Sequence, residues 1–255
     1  MRIVRVDVSN EIHWGVLRDD TVELLSVPPF EGIVSSGRTV PVSETRFLAP
    51  VVPQKIICLG RNYGEHVAEM GYVPADSPAL FMKPPGSVIG PDELVVLPPT
   101  WLSTHVEHEA ELGIVIGRGG RFIEEADALE AVLGFTCADD VSARDLQKSD
   151  PHPTRGKGFD TFCPVGPWIE TDVSLDGGLG IRCRVNGVLR QDASTAQMIF
   201  NVPFLVSYIS QYTTLVPGDL ILTGSPGGTL PLGDGDVVEI EIEGVGLLRH
   251  GVRDA

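Results

Sequence analysis

The sequence predicts a β-rich α+β domain, and three observations carry that prediction. Short apolar runs are punctuated along the whole chain by 29 Gly and 20 Pro. Helical periodicity is confined to a few short stretches. The pair Asn186-Gly187 sits between two strand-like runs, which is the strongest local hairpin pattern. Together these favour mixed or antiparallel sheets over a doubly wound parallel sheet. A chain of 255 residues with 42% hydrophobic content is long enough for one main domain with a real core and a small appended piece.

Residues 1–48 read as that small piece, a β-rich segment. Ile3, Val4, Val6 and Val8 lead through Ser9-Asn10-Glu11 into a returning strand at His13 to Leu17. The Pro28-Pro29 and Ser35-Ser36-Gly37 clusters read as loops. So small a segment has too little core to stand alone and is expected to pack on residues 49–255, the main domain. There, Ile56 to Leu59, Leu94 to Leu97, Glu111 to Ile116 and Leu220 to Leu222 read as strands, and residues 237–243 alternate apolar and acidic like a half-buried strand. Helical patterns are expected at 126–132, at 196–209 and just after Asn62.

Asp+Glu number 35 against 19 Lys+Arg, a formal net charge of −16. A chain this acidic is repelled by phosphate backbones and anionic bilayers, so neither nucleic acid nor membrane is an expected partner. Small anionic substrates stay open, because local cations override the global field. No segment has the apolar length of a signal peptide core or a membrane span, and the expectation is a cytoplasmic protein. Cys58, Cys137, Cys163 and Cys183 are widely spaced, without C-x-x-C, and read as buried thiols.

The stretch Val106-Glu107-His108-Glu109-Ala110-Glu111-Leu112 puts acids at every second position. On a strand these would project from one side and repel one another unless a cation lay between them. A hard divalent ion such as Mg²⁺ suits oxygen ligands; a solvated acidic edge explains the pattern equally well. His66 and Glu69 stand at i and i+3 after Asn62, whose spacing to Glu65 fits a capping box. A carboxylate beside an imidazole makes a base for water; an ordinary surface pair has the same spacing. An apolar run over 131–138 ends in Asp139-Asp140, one of which could supply a third carboxylate, with Arg144 close behind. The alternative there is a capped strand-to-helix turn. Lys157 lies between Gly156 and Gly158, either a cation brought close to a ligand on flexible backbone or part of a mobile loop. Thr223-Gly224-Ser225-Pro226 ends a strand in a Gly-rich turn that could cradle a carboxylate.

Taken in order, these segments resemble the fumarylacetoacetate hydrolase family over roughly residues 53–250. Gly60-Arg61-Asn62-Tyr63, Phe81-Met82-Lys83-Pro84, His108 to Leu112, Asp140 to Gln147, Lys157 to Asp160, Gln191 and Pro217 to Pro226 carry the resemblance. It implies a mixed β-roll or sandwich core with few short helices. It implies Glu109, Glu111 and Asp140 as ligands of Mg²⁺ or Mn²⁺, with Glu107 a bystander. It also implies His66, Glu69 and Lys157 as catalytic residues and Arg61, Arg144, Gln147 and Thr223 as substrate contacts. Ser225 departs from the Thr more usual there but keeps the hydroxyl. The implied function is a homodimeric, metal-dependent hydrolase or decarboxylase cleaving a C–C bond in a small anionic 2-oxo acid through an enolate. The alternatives are an isomerase of the 2-hydroxyhepta-2,4-diene-1,7-dioate or 5-carboxymethyl-2-hydroxymuconate type, and a non-catalytic metal- or ligand-binding member.

Overall fold

The computed structural model describes residues 1–64 and 76–255. Among these, twelve strands form one mixed sheet and five form a second. The strand Ala110–Ile116 lies deep in the larger sheet, between Val132–Asp139 and Leu220–Leu222, and every one of its residues is buried. It reads as a continuous apolar run because it is covered on both faces. Leu112, Ile114 and Ile116 enter one core with Ile181, Ile240 and Leu248 of the smaller sheet, whereas Val115 enters another with Ile56, Cys58 and Leu222. Glu111 has the parity of Val115 and stands opposite Ala138.

The N-terminal strands Arg2–Val8, Glu11–Arg18 and Thr21–Leu25 extend the larger sheet through the register Ile3↔Ile169. The Ser35-Ser36-Gly37 cluster, expected as loop, instead begins the strand Ser35–Pro41. Pairing with Thr21–Leu25 supplies the backbone partners that its local composition does not advertise, and it is an exposed edge. In the smaller sheet the expected hairpin joins Gly180–Val185 to Val188–Ser194, with Asn186 and Gly187 at φ +53° and +77°. Val237–Ile242 alternates between half-buried and buried positions as expected.

Two of the expected helices differ from their patterns in type or extent, and the one expected just after Asn62 falls outside the described residues. The 126–132 pattern is a 3-10 helix, Glu125–Ala131. The 196–209 pattern divides into a 3-10 turn, Thr195–Gln197, and an α-helix, Val202–Tyr212. Pro203 lies in the first turn of that helix and Asn201 caps it by accepting from the Phe204 N–H at 3.0 Å, so the helix begins there. Two further short helices, Arg144–Ser149 and Thr154–Lys157, pack together beside the acidic strand. All four cysteines are buried and free. No helix among the described residues is long and apolar enough to cross a membrane.

Candidate metal centre

The acidic stretch does not run as one strand. Val106–Glu107 pairs with Ser142–Ala143, the backbone breaks at His108-Glu109, and Ala110–Ile116 continues in the large sheet. The break carries Glu107 to Arg144, while Glu109 and Glu111 converge on Asp140. Candidate ligand oxygens of Glu109, Glu111 and Asp140 lie within 4.8 Å of one another, and all three side chains are buried.

Such an arrangement needs positive charge. Lys157 Nζ lies 2.7 Å from Glu109 Oε2 and 2.6 Å from Asp140 Oδ2. Lys83 Nζ donates to Asp140 Oδ1 at 2.6 Å and to the Val141 carbonyl at 3.1 Å. Arg144 Nη2 lies 2.7 Å from both Glu107 Oε2 and Glu109 Oε1. Among the described residues, these four acids thus face three Lys or Arg cations, one fewer than the acids.

That surplus falls on Glu111. Its Oε2 accepts from the Gly224 N–H at 2.7 Å, but its Oε1 is buried without a hydrogen-bond partner among the described residues. Burial first, then the Asp140 and Glu109 charges, push its carboxyl well above the usual carboxylate range. Such a buried oxygen beside two more carboxylates is a hard-donor set that fits a divalent cation. Burial alone would lower the Lys157 ammonium, but Asp140 and Glu109 outweigh it and hold it above the usual lysine range, so Lys157 stays charged.

Backbone ties fix the ligands. Asp139 Oδ1 accepts from the Glu109 N–H at 2.7 Å, and the Asp140 N–H donates to the Glu109 carbonyl at 2.9 Å. His250 Nε2 lies 2.9 Å from Asp139 Oδ2. Gly224 has φ +93°, and a Cβ there would meet Asn62 Cβ at 2.8 Å, so glycine lets the 223–226 turn approach Glu111. Gln191 holds that turn in place. Its Nε2 donates to Ser225 Oγ at 2.8 Å and to the Pro226 carbonyl at 2.7 Å, while its Oε1 accepts from the Ala110 N–H at 3.0 Å.

Beside the cluster opens a cavity of about 340 Å³ whose walls include Arg61, Phe81, Glu109, Arg144, Gln147 and Lys157. Sequence-predicted residues Glu109, Glu111, Asp140, Arg144 and Lys157 are therefore together, and Arg61 and Gln147 share the cavity. Arg144 is held by acids and by Gln147 Oε1. Thr223 is fully buried and its hydroxyl donates to the Leu112 carbonyl at 3.0 Å; Ser225 is the turn hydroxyl residue on the cavity wall. His66 and Glu69 lie outside the described residues. The expected Asn62 cap also falls on a helix outside the described residues; among those described, Asn62 Oδ1 accepts from the Phe200 N–H at 2.7 Å and its Nδ2 donates to the Phe200 and Thr223 carbonyls. The flexible-backbone expectation at Lys157 also fails, because Thr154–Lys157 is helical and Gly156 packs against Ala143 and Gln147.

The fold and its buried acid cluster define an α+β domain of mixed sheets with a candidate metal centre. The particular family follows from comparison. Residues 55–253 match the family model described as fumarylacetoacetate (FAA) hydrolase C-terminal, and residues 1–50 match the one described as Rv2993c-like, N-terminal. The chain belongs to the fumarylacetoacetate hydrolase family. It is 45% identical over 234 residues to Protein Rv2993c of Mycobacterium tuberculosis, covering 91% of this chain and 88% of that one. It is 43% identical over 225 residues to the mitochondrial oxaloacetate tautomerase FAHD2B of Bos taurus, covering 84% and 71%. Among solved structures, 5-carboxymethyl-2-hydroxymuconate delta-isomerase from Mycobacterium smegmatis matches with a TM-score of 0.94 at 38% identity over 100% of both chains. A 2-hydroxyhepta-2,4-diene-1,7-dioate isomerase from Mycobacterium marinum matches at 0.92 and 41%, over 100% and 98%.

Proposed function

We propose that this chain is a Mg²⁺- or Mn²⁺-dependent enzyme that takes a small 2-oxo acid through its enolate. One observation carries the reading: the buried Lys157 ammonium bridges two members of a carboxylate triad on the wall of a cavity. A divalent ion held by Glu109, Glu111 and Asp140 would supply Lewis-acid charge to the oxygens of the 2-oxo acid. The Lys157 ammonium, held between Glu109 and Asp140, would place positive charge where negative charge develops on the enolate oxygen. Arg144 holds Glu109 and Glu107 apart and orients Gln147 at the cavity wall. Lys83 fixes Asp140 from the side opposite Lys157, so the carboxylate keeps one orientation.

The net reaction that this proposal favours is proton movement, tautomerisation or isomerisation, with His66 taking the proton at its imidazole and Glu69 orienting the ring. The names of the bovine relative and of the solved structures support it. Cleavage of a C–C bond, the reaction expected from the sequence, uses the same enolate; hydrolysis adds a water deprotonated by His66, and decarboxylation needs none. The implied homodimer belongs to the same proposal and is read by light scattering.

The test is a panel of oxaloacetate, acetylpyruvate, fumarylpyruvate and a hydroxymuconate followed by NMR, with Mg²⁺ and with chelator. Keto–enol or double-bond exchange without loss of the carbon skeleton supports proton transfer; acid fragments or CO₂ support cleavage. His66→Ala is expected to lower either activity by ~10²–10⁴. Turnover unaffected by chelator, or no turnover of any member with Mg²⁺, overturns the proposal.

A further inference from the structure

This inference rests on the 2-oxo acid reading and concerns the far end of the same cavity. The chain has 35 acids against 19 Lys and Arg, so its overall field repels anions. The cavity nevertheless carries Arg61, Arg144, Lys148 and Lys157 on its walls. Asp150, on the same wall, is already engaged by Arg155, whose Nε donates to its Oδ2 at 2.7 Å. At the inner end, Lys157 is committed to Glu109 and Asp140, and Arg144 to Glu107 and Glu109.

Lys148 differs from these. It is exposed, and its ammonium makes no ion pair or hydrogen bond among the described residues. It stands on the helix Arg144–Ser149, four positions after Arg144. Positions i and i+4 share a helix face and lie about 6 Å apart along the axis. The helix therefore offers the cavity a committed cation at its inner end and an uncommitted one a single turn farther out. The carboxyl carbons of an extended five-carbon dicarboxylic acid are about 5 Å apart, from C–C bonds of about 1.5 Å at near-tetrahedral angles.

We propose that Lys148 is a specificity-determining residue that engages a second carboxylate at the end of the substrate remote from the 2-oxo group, making dicarboxylic 2-oxo acids the preferred class. A substrate without that group leaves the Lys148 ammonium hydrated and gains nothing from it.

The experiment compares 2-oxoglutarate with 2-oxopentanoate, which differ only in the distal carboxylate, as ligands of the full chain in Mg²⁺. Dissociation constants are measured by calorimetry for the wild type, Lys148→Met and Lys148→Arg. The wild type is expected to bind the dicarboxylate roughly two- to fivefold more tightly, the scale of an exposed ion pair. Lys148→Met should abolish that preference while leaving 2-oxopentanoate within twofold, and Lys148→Arg should retain it. The preference should also shrink as salt is raised. Equal wild-type affinities, or equal losses for both acids in Lys148→Met, overturn the role of Lys148 and leave the 2-oxo acid reading standing. Failure of both acids to bind the wild type in Mg²⁺ overturns both.

Discussion

His250 Nε2 lies 2.9 Å from Asp139 Oδ2, and both side chains are completely buried. The contact joins the strand Gly246–Asp254 to the acid that holds the Glu109 N–H, so it sets the position of a candidate ligand without touching the cation site. Replacing His250 with Leu strands a buried carboxylate. We expect a loss of ~3–5 kcal/mol in denaturant unfolding. His250→Asn keeps a donor and should recover part of the loss.

Glu111 yields a prediction about pH. Its carboxyl is raised by burial and by Asp140 and Glu109, so the metal-free folded protein binds this proton more tightly than the unfolded chain does. Its stabilising contribution is present below the unfolded carboxylate pKa and is lost as pH rises through the higher folded value. A cation must displace the proton, so Mn²⁺ affinity should strengthen with rising pH. Glu111→Gln should raise the melting temperature of the metal-free protein at neutral pH and remove its increase on adding Mn²⁺. A persisting Mn²⁺ response would remove Glu111 from the ligand set.

Gln191 joins the 223–226 turn to the acidic strand through its amide. Gln191→Leu leaves the Ala110 N–H and the Pro226 carbonyl short of a partner, at about 1–3 kcal/mol in unfolding experiments. Because Ser225 lines the cavity, KM should rise more than kcat falls. The reverse split would place the turn in the chemical step.

Gly156 sets the spacing of the two short helices. A Cβ there would lie 2.8 Å from the Gln147 nitrogen and 2.9 Å from the Ala143 carbonyl oxygen. Gly156→Ala should cost ~1–3 kcal/mol and weaken substrate binding by shifting the helix that carries Arg144 and Gln147. Thermal unfolding and KM check the two effects separately.

Much of this was legible in the residues. The apolar run from Glu111 to Ile116 and the Asn186-Gly187 turn are local patterns, and local patterns determine strands and hairpins directly; the alternation at 106–112 reads as one strand, but a break at His108-Glu109 divides it between two sheets. The β-rich α+β class follows from them. The Ser35–Pro41 edge strand was missed because its pairing comes from a neighbour, not from its own composition. The site was legible where acids cluster in sequence and opaque where partners are distant. Lys83 reads only as part of the Phe81 to Pro84 segment of the resemblance, with no role, although 57 positions later it meets Asp140. His250 meets Asp139 across 111 positions, and no short-range pattern announces that. Asn62 also reaches Phe200 and Thr223, 138 and 161 positions away, and its spacing to Glu65 gives no hint of that.

The same long reach has a consequence for how the protein is made. Asp139 leaves the ribosome more than a hundred residues before His250, and contacts of large sequence separation form late. During that interval a nascent chain has its acids but not the strand that buttresses them. The buttress that positions Glu109 is complete only once Gly246–Asp254 has paired with Val237–Ile242.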